Sequence, residues 1–164
     1  MKATRKILIL LAVLPLLFVF AQNQDSEGEE VVAIDGQAVY MASCAGCHGP
    51  SGEGQPERIP ALANHAPHVF NADGGREYLM HVLMYGLSGE ITVLGETFDR
   101  SMPPRYTLSD EELAAILNHV LTSWGNEELL NAGFEPYAPE EFSAVRRVSR
   151  DWAIQFRPAI DPEL

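Results

Sequence analysis

The sequence predicts an all-α fold gathered around one short cysteine–histidine motif, with a further helix beyond the main domain. Three observations carry that prediction. Apolar residues recur at helical spacing over residues 76–87 and 107–124, the second stretch opening with the capping-box pair Ser109 and Glu112. Gly36, Tyr40 and Cys44 fall four apart, which puts them on one face of a helix running from about Ile34 into the motif. Strand-like sequence is confined to Ile91-Thr92-Val93 and Glu96-Thr97-Phe98, a small hairpin turning at Leu94-Gly95.

Taken in order, residues 1–21 read as an export signal. Lys2, Arg5 and Lys6 precede an unbroken apolar run, and Val19-Phe20-Ala21 offers a small-residue cleavage site. The run is shorter than the ~20 residues a spanning helix needs and carries Pro15, so cleavage is expected, and membrane association only through an uncleaved segment. Residues 22–31 are polar and acidic without apolar periodicity, which predicts a flexible leader. Of the eleven basic residues three precede position 21, leaving eight arginines, no lysine and all 23 acids, a formal charge of −15 for the mature chain. Such a charge excludes nucleic-acid binding and docking on anionic lipid by charge alone.

The motif itself is Cys44-Ala45-Gly46-Cys47-His48. Two thiols three residues apart, followed at once by a histidine, are what attachment of a c-type haem requires: each sulfur adds across a vinyl group and the imidazole reaches the iron. A zinc site would need a second ligand pair, and these are the only cysteines. A redox dithiol would not need His48. One covalent haem c is therefore expected on Cys44 and Cys47, with His48 as an iron ligand. It adds the apolar bulk that a domain of ~95 residues lacks on its own.

With this motif, the Gly36–Tyr40–Cys44 spacing, Pro60 within Ile59-Pro60-Ala61-Leu62, Met102-Pro103 and a C-terminal helix over residues 108–126, the chain resembles the class I cytochromes c. The resemblance covers residues 32–126 and leaves 127–164 as an extension. It implies a class I cytochrome c fold around one covalently bound haem, with a C-terminal helical extension. It also implies that the Pro60 carbonyl accepts a hydrogen bond from His48, that Met102 is the second axial ligand, and that the last domain helix crosses the first near Gly36. His119 stands where that helix usually carries a tyrosine.

The remaining segments fit around these parts. Residues 49–64, rich in glycine and proline, should wrap the proximal side of the haem as a loop. On the helix over 76–87, Tyr78, Leu79, Val82, Leu83 and Leu87 form the apolar positions, with Met80, His81 and Met84 read as filling residues rather than ligands. Pro103-Pro104 hold an extended stretch that suits presentation of Met102, whose thioether would raise the reduction potential. His65 and His68 offer bis-histidine ligation as the less favoured alternative, and His119 is expected to pack. In the last domain helix Leu113, Ile116, Leu117, Val120 and Trp124 form the stripe, Leu108 staples against Leu113 and Gly125 closes it. Pro139 should open a further helix with Glu140 and Glu141 in its first turn and Phe142, Val145, Val148 and Trp152 towards one side. Arg146, Arg147, Arg150 and Arg157 there either neutralise the acidic body or dock a partner.

The expected function is one-electron transfer between redox partners outside the cytoplasm, in the periplasm or on the outer face of the membrane, as a free carrier or as a subunit of an oxidase, dehydrogenase or reductase. No acid, base or nucleophile is needed, so the chain is not expected to be an enzyme. The competing function is a haem-based gas sensor or small peroxidase with a labile distal ligand. Many soluble cytochromes c dock through lysines around the haem edge, which this chain lacks. An edge framed by Glu53, Glu57 or Asp99 calls for a partner with a basic face, whereas docking around Ala61, Leu62 or Pro104 would be apolar.

Overall fold

The computed structural model describes residues 33–146. The export signal, the acidic leader, Arg147, Val148, Arg150, Trp152 and Arg157 lie outside the described residues. The elements in order are α1 (Gly36–Ser43), α2 (Ala45–His48), α3 (Ala66–Asn71), α4 (Gly75–Tyr85), the strands β1 (Ile91–Val93) and β2 (Glu96–Phe98), α5 (Asp110–Thr122), a 3-10 turn (Asn126–Leu129) and α6 (Pro139–Val145). No helix among them is long and apolar enough to cross a membrane.

Helix α1 begins where the Asp35 carboxylate accepts from the backbone N–H groups of Gln37 and Ala38, filling two of the donors that a helix start leaves open. It crosses α5 at close range. A Cβ on Gly36 would stand 2.2 Å from the Ala115 carbonyl oxygen, so only glycine lets the two backbones meet there. Around the crossing, Tyr40 is fully buried between the rings of His119 and Trp124, with centroids at 5.4 and 5.1 Å. His119 and Trp124 also meet edge to face. The aromatic contact at this crossing is thus made by a histidine and a tryptophan together.

Helix α5 carries the predicted capping box, with Ser109 and Glu112 bonding each other's backbone N–H at 3.2 and 2.8 Å. Its buried stripe is Leu113, Ala114, Ile116, Leu117, Val120 and Leu121. The helix ends at Thr122, two residues short of the predicted stripe. Ser123 is extended and Trp124 takes a positive φ of 59°, which throws its indole off the helix and against Gly52 in the proximal loop.

The hairpin forms as predicted. Ile91 pairs with Phe98 and Val93 with Glu96 around Leu94 and Gly95, both at positive φ as a tight two-residue turn requires. Helix α3 was not expected; Pro67 near its first turn and six residues of length explain why no period announced it.

The segment after the 3-10 turn packs into the same core as the helices before it. Phe142 is fully buried, and Tyr137 and Val145 nearly so, in one cluster with Tyr40, Met84, Leu113 and Ile116. Arg76 clamps this segment: its guanidinium bonds both oxygens of Glu141 at 2.8 and 2.7 Å and the carbonyls of Glu135 and Pro136, and it stacks 4.2 Å over the Tyr137 ring. At the far end of α6, Arg146 bonds Asp110 and the carbonyls of Tyr106 and Leu108. Of the four tail arginines, then, the described one spends its charge on an acid of its own molecule.

Candidate functional site: a haem pocket

The motif is shaped by a break between α1 and α2. Cys44 leaves α1 with φ −125° and starts a single tight turn, in which Cys47 and His48 both donate to its carbonyl, at 3.0 and 2.9 Å. Residues i and i+3 of one turn share a side, so both sulfurs lie along one edge of the turn with the imidazole next to them. Cys44 is buried and Cys47 exposed. Burial pushes the Cys44 thiol up from its ordinary value, with Arg105 opposing.

His48 is buried and its Nδ1 lies 3.1 Å from the Pro60 carbonyl oxygen. A carbonyl only accepts, so Nδ1 carries the proton and Nε2 keeps its lone pair. Burial holds the imidazole below its ordinary pKa, Arg105 adds to that, and the Pro60 bond opposes it. The result is a neutral ring of fixed tautomer, which is the form that binds a metal. Pro60 is itself fixed by a loop whose ends are pinned: Gln55 and Ile59 bridge each other, Leu62 and Ala63 donate to the Gly52 carbonyl, and the Gln55 amide donates to Cys47. Beyond it the buried Asn126 amide accepts from the Asn64 N–H and donates to the carbonyls of Leu62 and Val120.

Cys44, Cys47, His48, Pro60 and Met102 all line one cavity of ≈470 Å³. Its other walls are mostly apolar, among them Ile59, Leu62, Val69, Leu79, Val82, Leu87 and Val93. Met102 is held at the wall by backbone bonds to and from Leu87, at 2.8 and 3.1 Å, while a Cβ on Gly86 would strike the Met102 carbonyl at 2.3 Å. Of the alternative ligands only His65 reaches this cavity; His68 and His119 do not line it, and Met80, His81 and Met84 are buried in α4 away from it. The charged residues in the wall are Arg100 and Arg105, and Glu53, Glu57 and Asp99 stand outside it, exposed. Ala61 and Leu62 are half-buried in the wall and Pro104 is exposed. Sequence reasoning missed the two wall arginines, since no spacing marks them.

These residues fit a haem: a cavity within the roughly 300–1,000 Å³ of small-molecule sites, apolar walls for the macrocycle, two thiols along one turn, and a neutral imidazole with a free nitrogen. Among the described residues no group of three His, Cys, Asp or Glu side chains is placed to hold a bare metal ion. The family model of cytochrome c matches residues 33–124.

The chain belongs to the cytochrome c family.

A cytochrome c-552 of Thermus thermophilus is 45% identical over 112 residues, covering 68% of this chain and 84% of the relative. A second cytochrome c-552, from another strain record of Thermus thermophilus, is 43% identical over 119 residues, covering 73% of this chain and 79% of the relative. This cytochrome carries one haem c, attached covalently at the motif of Cys44 and Cys47, and serves in electron transfer rather than as an enzyme.

Proposed function

We propose that this cytochrome c passes single electrons between redox proteins outside the cytoplasm, with His48 and Met102 as the axial ligands of its iron. The observation that carries the assignment is the His48 Nδ1–Pro60 bond, which leaves Nε2 free at a cavity that Met102 also lines. The haem supplies a reversible one-electron couple. The chain supplies the rest. Cys44 and Cys47 prevent loss of the group, the apolar walls exclude water and favour the less charged ferrous state, and a thioether ligand favours it further. Two protein ligands leave no open coordination position, which separates an electron carrier from a gas sensor or peroxidase.

Residues 1–21 direct the chain across the membrane, so its partners are periplasmic or stand on the membrane's outer face. With no lysine after Lys6 and a strong acid excess, long-range attraction favours a partner with a basic face. Ferrous CO binding tests the closed site: binding that is slow or absent supports the carrier, and rapid binding points to the sensor or peroxidase. Reduction by a basic and an acidic small redox protein across a salt series tests the partner. The basic one should react faster, and its rate should fall as salt shortens the screening length below about 10 Å. A flat salt profile would assign docking to apolar surface around Pro103 and Pro104 instead.

A further inference from the structure

The loop that carries Met102 is tied on one side to the C-terminal end of α4. Met102 and Leu87 exchange backbone bonds, and the Arg105 backbone N–H donates to the carbonyls of Leu83 and Met84 at 3.0 and 3.2 Å. The Arg105 side chain reaches the other way. Its Nη2 donates to the Ser43 carbonyl at 3.1 Å, at the last residue of α1 and one before Cys44. Its Nη1 donates to the carbonyls of Pro104 and Pro103 within the loop, at 3.2 and 3.4 Å. One guanidinium therefore joins the loop that holds the thioether to the helix that holds the first cysteine.

The chemistry suits a fastener. Carbonyls at a helix C-terminus carry partial negative charge and attract a cation. The planar fork serves Ser43 and the two prolines at once, which a lysine ammonium on a flexible stem does less well. Arg105 is half-buried in the cavity wall, where screening by salt is weaker than at an open surface.

We propose that Arg105 is a clasp that keeps the Met102 loop shut against α1 and so governs how readily an external ligand displaces Met102 from the iron. The proposal rests on Met102 being an axial ligand. Arg105 is a positioning residue, since it acts through Met102. Opening the α1 side of the loop frees the thioether to leave, while the α4 ties keep the chain folded.

The test uses the intact ferric holoprotein and imidazole as the external ligand, mixed by stopped flow. Arg105→Met, which keeps the apolar stem and loses the fork, should bind imidazole about tenfold faster than the parent, as expected when a charged donor's hydrogen bonds are lost. Arg105→Lys keeps the charge without the fork; its rate should lie nearer the methionine variant, while its midpoint potential stays near the parent's and that of Arg105→Met falls. Arg76→Met is the control, because it breaks a comparable guanidinium network on the α4–α6 side; it should lower stability and leave the imidazole rate unchanged. Imidazole rates within about twofold of the parent in both Arg105 variants overturn the clasp, as does an equal acceleration in Arg76→Met. If Arg105→Met is lost in maturation, Arg105→Lys decides alone. Survival of the ferric sulfur-to-iron charge-transfer band in Met102→Ala overturns the ligation itself, a different failure from unchanged Arg105 variants in a protein whose band does depend on Met102.

Discussion

Phe142→Ala should destabilise this cytochrome severely although the residue lies well beyond the stretch that matches the family. The side chain is fully buried, 6.0 Å from the Tyr137 ring between centroids, in the cluster that also contains Tyr40, Leu113 and Ile116. Truncating a buried phenylalanine removes its transfer free energy and leaves a cavity, together costing ~3–5 kcal/mol. Collapse of the neighbourhood is restricted, because α6 is pinned at both ends by Arg76–Glu141 and Arg146–Asp110. The loss is a large part of the ~5–15 kcal/mol that holds a typical domain together. Denaturant unfolding of the ferric holoprotein, followed by far-ultraviolet circular dichroism, measures it as a lower midpoint at unchanged slope. Haem attachment and the visible spectrum of the folded protein should not change, since Phe142 does not line the haem cavity. A cost below about 1 kcal/mol would refute the view that residues 137–145 complete the core.

Gly36→Ala should cost ~1–3 kcal/mol, far more than a glycine-to-alanine change inside an ordinary helix, because the new methyl drives α1 off the Ala115 carbonyl; thermal unfolding reads it, and a stabilised variant would contradict the close crossing. Cys44→Ser or Cys47→Ser should weaken haem retention and the double variant should lose it, measured by acid–organic extraction; haem that leaves the unaltered protein in that extraction contradicts covalent attachment. The Arg76 guanidinium holds the Glu141 carboxyl below its ordinary pKa, through hydrogen bonding first. The folded pKa thus lies below the unfolded one, so the stability from this pair is complete above the ordinary carboxylate range and is lost as pH falls through the folded value. Arg76→Met should remove that part of the acid dependence, and an unaltered stability–pH profile between about pH 5 and 3 would count against it.

The parts of the fold that local chemistry dictates were legible. A capping box needs only Ser109 and Glu112 three apart, and the hairpin needs only a turn that tolerates two positive φ values. The haem motif was legible because three reactive side chains must share one turn, and spacing alone guarantees that. What escaped depends on contacts between distant segments. The apolar positions Phe142 and Val145 were visible, but nothing local says that they join the core of α1 and α5. Trp124 looked like the end of a stripe, and only the close approach of Gly52 explains why the chain turns left-handed to place the indole elsewhere. Arg100 and Arg105 had no period or motif around them, so their place in the cavity wall follows from the loop's path. The acids Glu53, Glu57 and Asp99 were chosen for their charge, and the fold leaves them outside that wall.

The central claim is that the protein holds its iron between His48 and Met102, and the ferric charge-transfer band of a sulfur-ligated haem tests it most directly. The unaltered ferric protein should show that band, Met102→Ala should abolish it and lower the midpoint potential, and Met80→Leu and Met84→Leu should retain it at the cost of packing alone. A band that persists in Met102→Ala, or that disappears with Met80 or Met84, would contradict the account.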